Sequence, residues 1–195
     1  MTALKTLWLP GSGQVTGRAD SGRDWGQEEK GTTEDDIEKL VKALPRFKNA
    51  RRRFEKLGKW HGAEIIDDYA HHPKEIEALL RSASRLEGEI TVVFQTNRFS
   101  RTEKLLPEFA EVLSKAPNLI LTDVYSAGES KGLIGGFELY EAVLSTGGQA
   151  EWVDTPKEIP NLLLKRSKDW KFPHTLLFTG AGALSSLAHE MLKNQ

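Results

Sequence analysis

The 195 residues include 27 basic and 28 acidic side chains, a net charge of −1, and no cysteine. This balance gives no overall field that would recruit nucleic acid or an anionic membrane, and the lack of cysteine excludes disulfides, thiolate metal sites and cysteine nucleophiles. The hydrophobic share of 38% is enough for a core, and no apolar run reaches the length of a membrane-spanning helix, so we expect a cytoplasmic protein.

The first 50 residues differ in pattern from the rest of the chain. Residues 1–30 contain five glycines without apolar periodicity, which predicts a disordered or non-native segment. Gly11 and Gly13 are not followed by the Gly-Lys-Ser/Thr of a phosphate loop. In residues 31–50, Ile37, Leu40 and Leu44 share one face at helical spacing, which predicts a helix that Pro45 ends.

A basic run, Arg51 to Arg53, comes next and precedes Phe54. Runs of charge are usually solvated, and we interpret Arg51 and Arg52 in that way. Arg53 lies beside an apolar residue that should face inward, which makes it the better candidate for contact with a phosphate or carboxylate.

From there on, predicted strands and helices alternate. Apolar runs predict strands over residues 63–67, 90–95, 118–123, 150–153 and 174–179, with a candidate edge strand over 54–60. Helical patterns follow at 73–86, 101–116, 136–146, 156–167 and 183–193. This alternation predicts an α/β, Rossmann-like fold, in which helices cover both faces of a mostly parallel sheet.

The stretch EIIDDYAHHPKEI, Glu64 to Ile76, concentrates polar groups where the first parallel strand ends and a helix begins at Pro73. Open α/β sheets bind ligands at the carboxyl ends of their strands. Asp67 and Asp68 should face opposite sides, so we expect one to orient backbone and the other to face the crevice. His71 and His72 are candidates for metal ligands, substrate contacts or a helix cap.

A second group of polar residues follows the next strand, in VVFQTNRFSRTEK. Arg98 precedes the predicted helix and Arg101 opens it, so both guanidinium groups can flank a helix N-terminus and hold a carboxylate or phosphate. The alternative is a surface salt bridge from Arg101 to Glu103 or Glu108. Further along, the TGAG turn at residues 179–182 permits close backbone approach.

Five blocks together resemble the C-terminal domain of the Mur ligase family: RRFE from Arg52, IIDDYAHHPKEI from Ile65, VVFQTNRFSRT from Val92, LTDVYSAGES from Leu121 and LLFTGAGAL from Leu176. The resemblance implies that residues 51–195 form this domain and that 31–50 are the last helix of a central ATPase domain. The most similar branch joins L-alanine to UDP-N-acetylmuramate in peptidoglycan synthesis. It uses ATP and Mg²⁺, and alanine's amine attacks an acyl phosphate.

The resemblance also implies roles for individual residues. Arg53 would reach the ATP phosphates, and Asp68 would lie near the nucleotide ribose. The amino-acid pocket would contain Tyr69, His71, Arg98 and Arg101, with the two arginines clamping the carboxylate. Supporting positions would be Asp67, His72, Asn97 and Asp123. No residue is expected to ligate a metal.

This sequence also departs from the family pattern. Thr96 and Asn97 stand where the family usually has Pro-His, and Ser126 stands where it usually has Pro. A substrate-binding domain and a Gly-Lys-Thr loop are missing from these residues, so we expect the chain alone to be inactive and to bind neither ATP nor Mg²⁺.

Two alternatives stay open. The first is a stand-alone module that binds a nucleotide or an amino acid. The second is a metal-dependent phosphoesterase that would use the carboxylates and imidazoles of Asp67, Asp68, His71, His72 and Asp123.

Overall fold

The structure is a computed structural model that describes residues 52–194. The predictions for residues 1–30, for the helix within 31–50 and for Arg51 lie outside these described residues.

The described part of the chain contains six strands, six α-helices and two 3-10 helices, Pro156–Glu158 and Ser167–Asp169. The strands are β1 Glu55–Trp60, β2 Ala63–Asp68, β3 Glu89–Asn97, β4 Leu119–Tyr125, β5 Ala150–Val153 and β6 His174–Thr179. The helices are α1 Pro73–Ala83, α2 Phe99–Lys104, α3 Leu106–Leu113, α4 Gly136–Ser145, α5 Ile159–Arg166 and α6 Leu184–Lys193. The predicted strands and the candidate edge strand are confirmed, with bounds that differ by at most two residues.

The strands form one sheet in the order β1-β2-β6-β3-β4-β5. Strand β1 pairs antiparallel with β2, and all other neighbours are parallel. Strand β6 lies between β2 and β3: Leu177 is the register partner of Ile66 on one side and of Val92 on the other. The predicted mostly parallel sheet is therefore confirmed.

Helices cover both faces of the sheet, as predicted, because successive strand residues point to opposite sides. Ile66 packs into a core that includes Ile76 of α1 and Phe109 of α3. Its neighbour Ile65 packs into the other core, with Ala188 of α6. Helix α4 joins the first face and α5 the second.

The helix predicted over residues 101–116 is wrong in form, because two helices occupy this region. Helix α2 begins at Phe99, two residues earlier than predicted, and the chain breaks at Leu105, where φ is −115° and ψ is 19°. Pro107 explains the break, since its ring nitrogen cannot donate the bond that would continue the helix. No helix in residues 52–194 is long and apolar enough to cross a membrane.

Candidate functional site

The candidate site lies where β2, β6, β3 and β4 end side by side. Two backbone hydrogen bonds join these ends: the Gly180 amide donates to Asp68 O at 3.2 Å, and the Arg98 amide donates to Tyr125 O at 2.8 Å. The sheet order thus places the polar residues of the two predicted groups along one edge.

Asp67 anchors three segments beneath this edge. Its carboxylate is fully buried, and Oδ2 accepts hydrogen bonds from Arg52 Nε at 3.1 Å and from Ser185 Oγ at 2.6 Å. Arg52 Nη2 also donates to Gly180 O at 2.6 Å. The interpretation of Arg52 as a solvated residue is wrong, because its guanidinium pairs with a buried carboxylate and stands 4.8 Å from the centre of the Tyr69 ring.

Asp68 lies on the opposite face of β2 and organises the backbone. Its Oδ2 accepts from the Phe54 amide at 2.7 Å, and its Oδ1 accepts from the Ala70 amide at 2.8 Å. As predicted, the two carboxylates face opposite sides of β2 and one of them, Asp68, orients backbone. The prediction that the other one faces the crevice is wrong, because Asp67 is fully buried and Asp68 itself lines the cavity described next. Among residues 52–194, each carboxylate oxygen of Asp68 accepts one hydrogen bond, which leaves a second acceptor direction for a ligand hydroxyl.

A cavity of about 360 Å³ opens beside Asp68, between the end of β2 and helix α1. Arg53 and Tyr69 line it together with apolar atoms of Leu79. Arg53 is exposed, and its side chain makes no hydrogen bond or ion pair to any residue in 52–194. A cation without an internal partner beside a cavity is suited to an anionic ligand.

The two histidines lie at the start of α1. His72 occupies the N-cap position, and Glu75 Oε2 accepts from the His71 amide at 3.0 Å and the His72 amide at 3.1 Å. Burial raises the pKa of Glu75, but these amides and the nearby imidazoles outweigh it, so the pKa of Glu75 is lowered overall. His72 therefore occupies the N-cap position that the helix-cap interpretation gave it, but the Glu75 carboxylate accepts the amides there.

His71 turns back toward the strand end. Its Nδ1 lies 2.9 Å from Tyr69 O, and its ring meets the Tyr69 ring edge to face at 5.0 Å. Across the described part of the chain, no three His, Asp or Glu side chains converge to hold a metal ion. The phosphoesterase alternative therefore has no ligand set within residues 52–194.

Arg98 and Arg101 sit at the start of α2. Arg98 is the exposed N-cap residue with a φ of 72°, and Arg101 is the third residue of the helix. Nη1 of Arg101 is buried and has no hydrogen-bond partner among residues 52–194, which also contain no ion pair to Arg101. The salt-bridge alternative is therefore wrong, and a buried guanidinium N–H remains for a ligand to satisfy.

The remaining supporting positions are Asp123 and Asn97. Asp123 Oδ1 accepts from the Val124 amide at 2.7 Å and from the Gly136 amide at 3.1 Å, which fixes the start of α4. Asn97 is buried at the end of β3, opposite Tyr125 in the register.

Sequence reasoning missed Gln95. Its buried amide donates to Asp123 O at 2.9 Å and accepts from the Ala183 amide at 3.0 Å, so it joins the end of β4 to the TGAG turn. A methyl group at Gly182 would lie 2.4 Å from Gln95 Oε1, which confirms the close approach expected of this turn. The signal was an amide that directly follows the apolar run of residues 92–94, because a buried amide must find partners.

Comparison with known sequences identifies the family. Residues 52–182 match the family described as Mur ligase, glutamate ligase domain. The UDP-N-acetylmuramate–L-alanine ligase of Lachnospira eligens is 38% identical over 160 residues, which cover 81% of this chain and 34% of that protein. The enzyme of the same name from Crocosphaera subtropica is 41% identical over 159 residues, covering 78% and 30%. The chain thus spans about a third of the length of these relatives.

Solved structures agree. The UDP-N-acetylmuramate–alanine ligase of Thermotoga maritima aligns with a TM-score of 0.63 and 26% identity, over 81% of this chain and 33% of that one. A pseudomurein peptide ligase type C from Methanothermus fervidus shares the fold, with a TM-score of 0.59 and 22% identity over 82% and 32% of the two chains. Together with the match over residues 52–182, these likenesses show that the chain belongs to the Mur ligase family and carries its C-terminal domain, as the motifs predicted.

Proposed function

We propose that this domain positions the amino acid and the nucleotide in a cytoplasmic, ATP-dependent ligase that joins L-alanine to UDP-N-acetylmuramate in peptidoglycan synthesis. The observation that carries the proposal is the buried Nη1 atom of Arg101, which lacks a partner in the described residues and lies in the first turn of a helix that Arg98 caps. The names of the curated relatives support the choice of substrates.

At the amino-acid end, Arg98 and Arg101 would bind the carboxylate of L-alanine. A guanidinium offers paired N–H donors that match a carboxylate, and a helix N-terminus adds favourable potential. Tyr69 and His71, whose rings meet at 5.0 Å, would form part of the amino-acid pocket. Holding the amine in a fixed orientation lowers the entropic part of the barrier.

At the nucleotide end, Arg53 would contact the ATP phosphates. Asp68 would accept a ribose hydroxyl, using the acceptor directions that the Phe54 and Ala70 amides leave free. Both residues line the same cavity of about 360 Å³, which brings the two contacts together.

Phosphoryl transfer needs groups that these residues do not supply. The sequence has no Gly-Lys-Ser/Thr loop, and residues 52–194 hold no three-ligand metal cluster. The phosphate loop and Mg²⁺ provide most of the electrostatic stabilisation in such reactions. We therefore assign Mg²⁺ and UDP-N-acetylmuramate to central and N-terminal ligase domains, and we expect the chain alone to have no ligase activity.

The test supplies those domains. The 195-residue chain is combined with the N-terminal and central domains of the Thermotoga maritima enzyme, either as separate proteins or fused in place of that enzyme's C-terminal domain. We expect phosphate release that requires both L-alanine and UDP-N-acetylmuramate. Arg101→Ala should abolish it at low alanine, whereas Arg81→Ala, an exposed arginine on α1, should not. No alanine-dependent release from either form, with the parent enzyme active, would refute the proposal.

A stand-alone binding module is the second candidate, and one observation favours it: every lining residue of the 360 Å³ cavity comes from residues 53–82 of this chain. The pocket therefore does not need another domain to form. Titration calorimetry of the isolated chain with ATP, L-alanine and a UDP-sugar tests this candidate. Tight binding of any of them without added domains would favour it over the ligase.

A further inference from the structure

A carboxylate from the loop after β4 accepts hydrogen bonds from the first turn of helix α2. Glu129 Oε1 accepts from Ser100 Oγ at 2.7 Å, and Glu129 Oε2 accepts from the Ser100 amide at 3.1 Å. Both carboxylate oxygens are thus used on one residue that lies 29 positions away in the chain.

Ser100 stands between the two arginines of the candidate clamp, in the first turn of α2. The residue before this turn is also held, because the Arg98 amide donates to Tyr125 O at 2.8 Å. Helix α2 has only six residues, too few to be stable by itself, so contacts with the rest of the domain must set its orientation. Two points on the β4 end and its loop provide those contacts.

The loop that carries Glu129 is itself tightly turned. The Glu129 amide donates to Ser126 O at 3.0 Å across a turn in which Ala127 has a φ of 51° and Gly128 a φ of 87°. Two successive positive φ angles are typical of a type I′ turn, and a non-glycine residue pays about 1 kcal/mol or more for such a backbone. Such conformations persist where the surrounding structure requires them.

The charge of Glu129 also suits this task. The Ser100 hydroxyl, the Ser100 amide and the charge of Arg98 lower the pKa of Glu129 below its ordinary value of 4.5. The carboxylate is therefore ionised at neutral pH and accepts its two hydrogen bonds at full strength.

We propose that Glu129 is a positioning residue for amino-acid binding: by holding Ser100 it sets the first turn of α2 and directs the guanidinium groups of Arg98 and Arg101. This role rests on the proposed function. Glu129 acts through Ser100 and touches no substrate. Because a carboxylate clamp serves the ground state and the transition state alike, its misalignment raises KM for the amino acid and leaves kcat and the KM for ATP unchanged.

The kinetic test uses the fused ligase and three variants. We expect Glu129→Ala to raise KM for L-alanine about tenfold, because it removes both hydrogen bonds to a charged acceptor. Ser100→Ala should raise it about threefold, because it removes the hydroxyl bond and keeps the amide bond. The double variant should be no worse than Glu129→Ala, because both changes remove the same contact. Glu129→Gln should have a KM between those of the wild type and Glu129→Ala, since its amide can accept from the Ser100 amide and donate to the hydroxyl but lacks the charge. Glu141→Ala, an exposed glutamate on α4, is the matched control.

A second readout uses the isolated 195-residue chain and does not depend on activity. Glu129→Ala should speed hydrogen exchange of the Ser100 amide at least about tenfold, while amides of α1 keep their rates. An unchanged KM for L-alanine, a loss confined to kcat, or unchanged exchange at Ser100 would each overturn the positioning role. An inactive wild-type fusion would refute the proposed function instead, and exchange alone would then decide whether Glu129 fixes the turn.

Discussion

Arg52 donates a hydrogen bond from Nε to Asp67 Oδ2 at 3.1 Å, which ties the segment before β1 to the end of β2. Ser185, at the start of α6, binds the same oxygen at 2.6 Å. The guanidinium that makes this buried contact also stands 4.8 Å from the centre of the Tyr69 ring. The internal support of the domain and the predicted amino-acid pocket therefore share one side chain.

We expect Asp67→Ala to lower the free energy of unfolding by about 2–3 kcal/mol, because it removes a buried acceptor, leaves Ser185 Oγ without a partner and leaves Arg52 with its bond to Gly180 O alone. Urea unfolding of the 195-residue chain measures this difference. Asp169→Ala replaces an exposed aspartate and should stay within about 0.5 kcal/mol of the wild type. Equal effects of the two changes would contradict the anchoring role.

Gly180→Ala and Gly147→Ala form a matched pair. Both glycines have positive φ, 134° and 88°, but an added methyl group would lie 2.4 Å from Gln95 O at Gly180 and would meet nothing within 4 Å at Gly147. We expect Gly147→Ala to cost about 1 kcal/mol from backbone strain and Gly180→Ala about 1–3 kcal/mol more from the clash. Thermal unfolding of both variants checks the difference, and equal melting temperatures would show that the turn relaxes freely.

In the fused ligase, Arg101→Ala should raise KM for L-alanine by about 10–100-fold with little change in kcat, because one charged hydrogen-bonding group is lost from ground state and transition state alike. Arg101→Lys should recover part of the affinity, since lysine keeps the charge but lacks the paired donors. Steady-state kinetics with L-alanine varied is the measurement. A defect in kcat alone would assign Arg101 to the chemical step.

Arg53→Ala should raise KM for ATP in the same enzyme by about tenfold, because its guanidinium lines the cavity and has no partner within residues 52–194. The same lack of a partner predicts that the free energy of unfolding changes by less than about 0.5 kcal/mol. Lys74→Ala, an exposed lysine in the first turn of α1, is the control. An unchanged KM for ATP would mean that Arg53 is a solvated surface residue without a role in ATP binding.

His174 makes stability depend on pH. It is buried, its Nε2 lies 3.0 Å from Thr91 Oγ1, and Trp170 stacks on its ring at 4.4 Å. Burial lowers the pKa of His174 below its ordinary value of 6.5; Arg166 adds to this and Glu89 opposes it. The unfolded chain therefore binds a proton that the folded chain rejects, and stability falls as pH drops through 6.5.

We expect urea midpoints to decrease between pH 7.5 and 5.5, and His174→Gln, which can still bond Thr91, to reduce that decrease. The pKa values of Glu75 and Glu129 are lowered from 4.5, so these groups destabilise the fold only at more acidic pH. An identical decrease in the variant would mean that other groups cause it.

Strand positions could be predicted because their signals are local. Strand β6 was predicted at its observed bounds, since Pro173 and Gly180 bracket an apolar run. The helix break at Leu105 could also have been predicted from the sequence, because Pro107 lies inside the predicted helix. The order of the strands in the sheet could not be predicted, since an apolar run suits any central position in a parallel sheet.

The residue types of the candidate site could be predicted from the sequence, but their hydrogen-bond partners could not. Polar residues at strand ends were expected to share one edge of the sheet, and the strand order does bring them to one edge. Arg52 was misjudged because its partners Asp67 and Gly180 lie 15 and 128 residues away, where no local pattern reports them. The ligands of Arg53, Asp68 and Arg101 stay predictions, since side-chain geometry shows an available group and leaves its occupant to experiment.

The central position of β6 has a consequence for synthesis. Strands β2 and β3 are synthesised before β6, the strand that lies between them, so neither can pair with β6 until residues 174–179 are made. Until then the nascent domain exposes two apolar strand edges, which can pair with edges of other chains. Insertion of β6 completes the sheet and aligns the ends of β2 and β3 in one late step, so a chain cut before His174 is expected to aggregate.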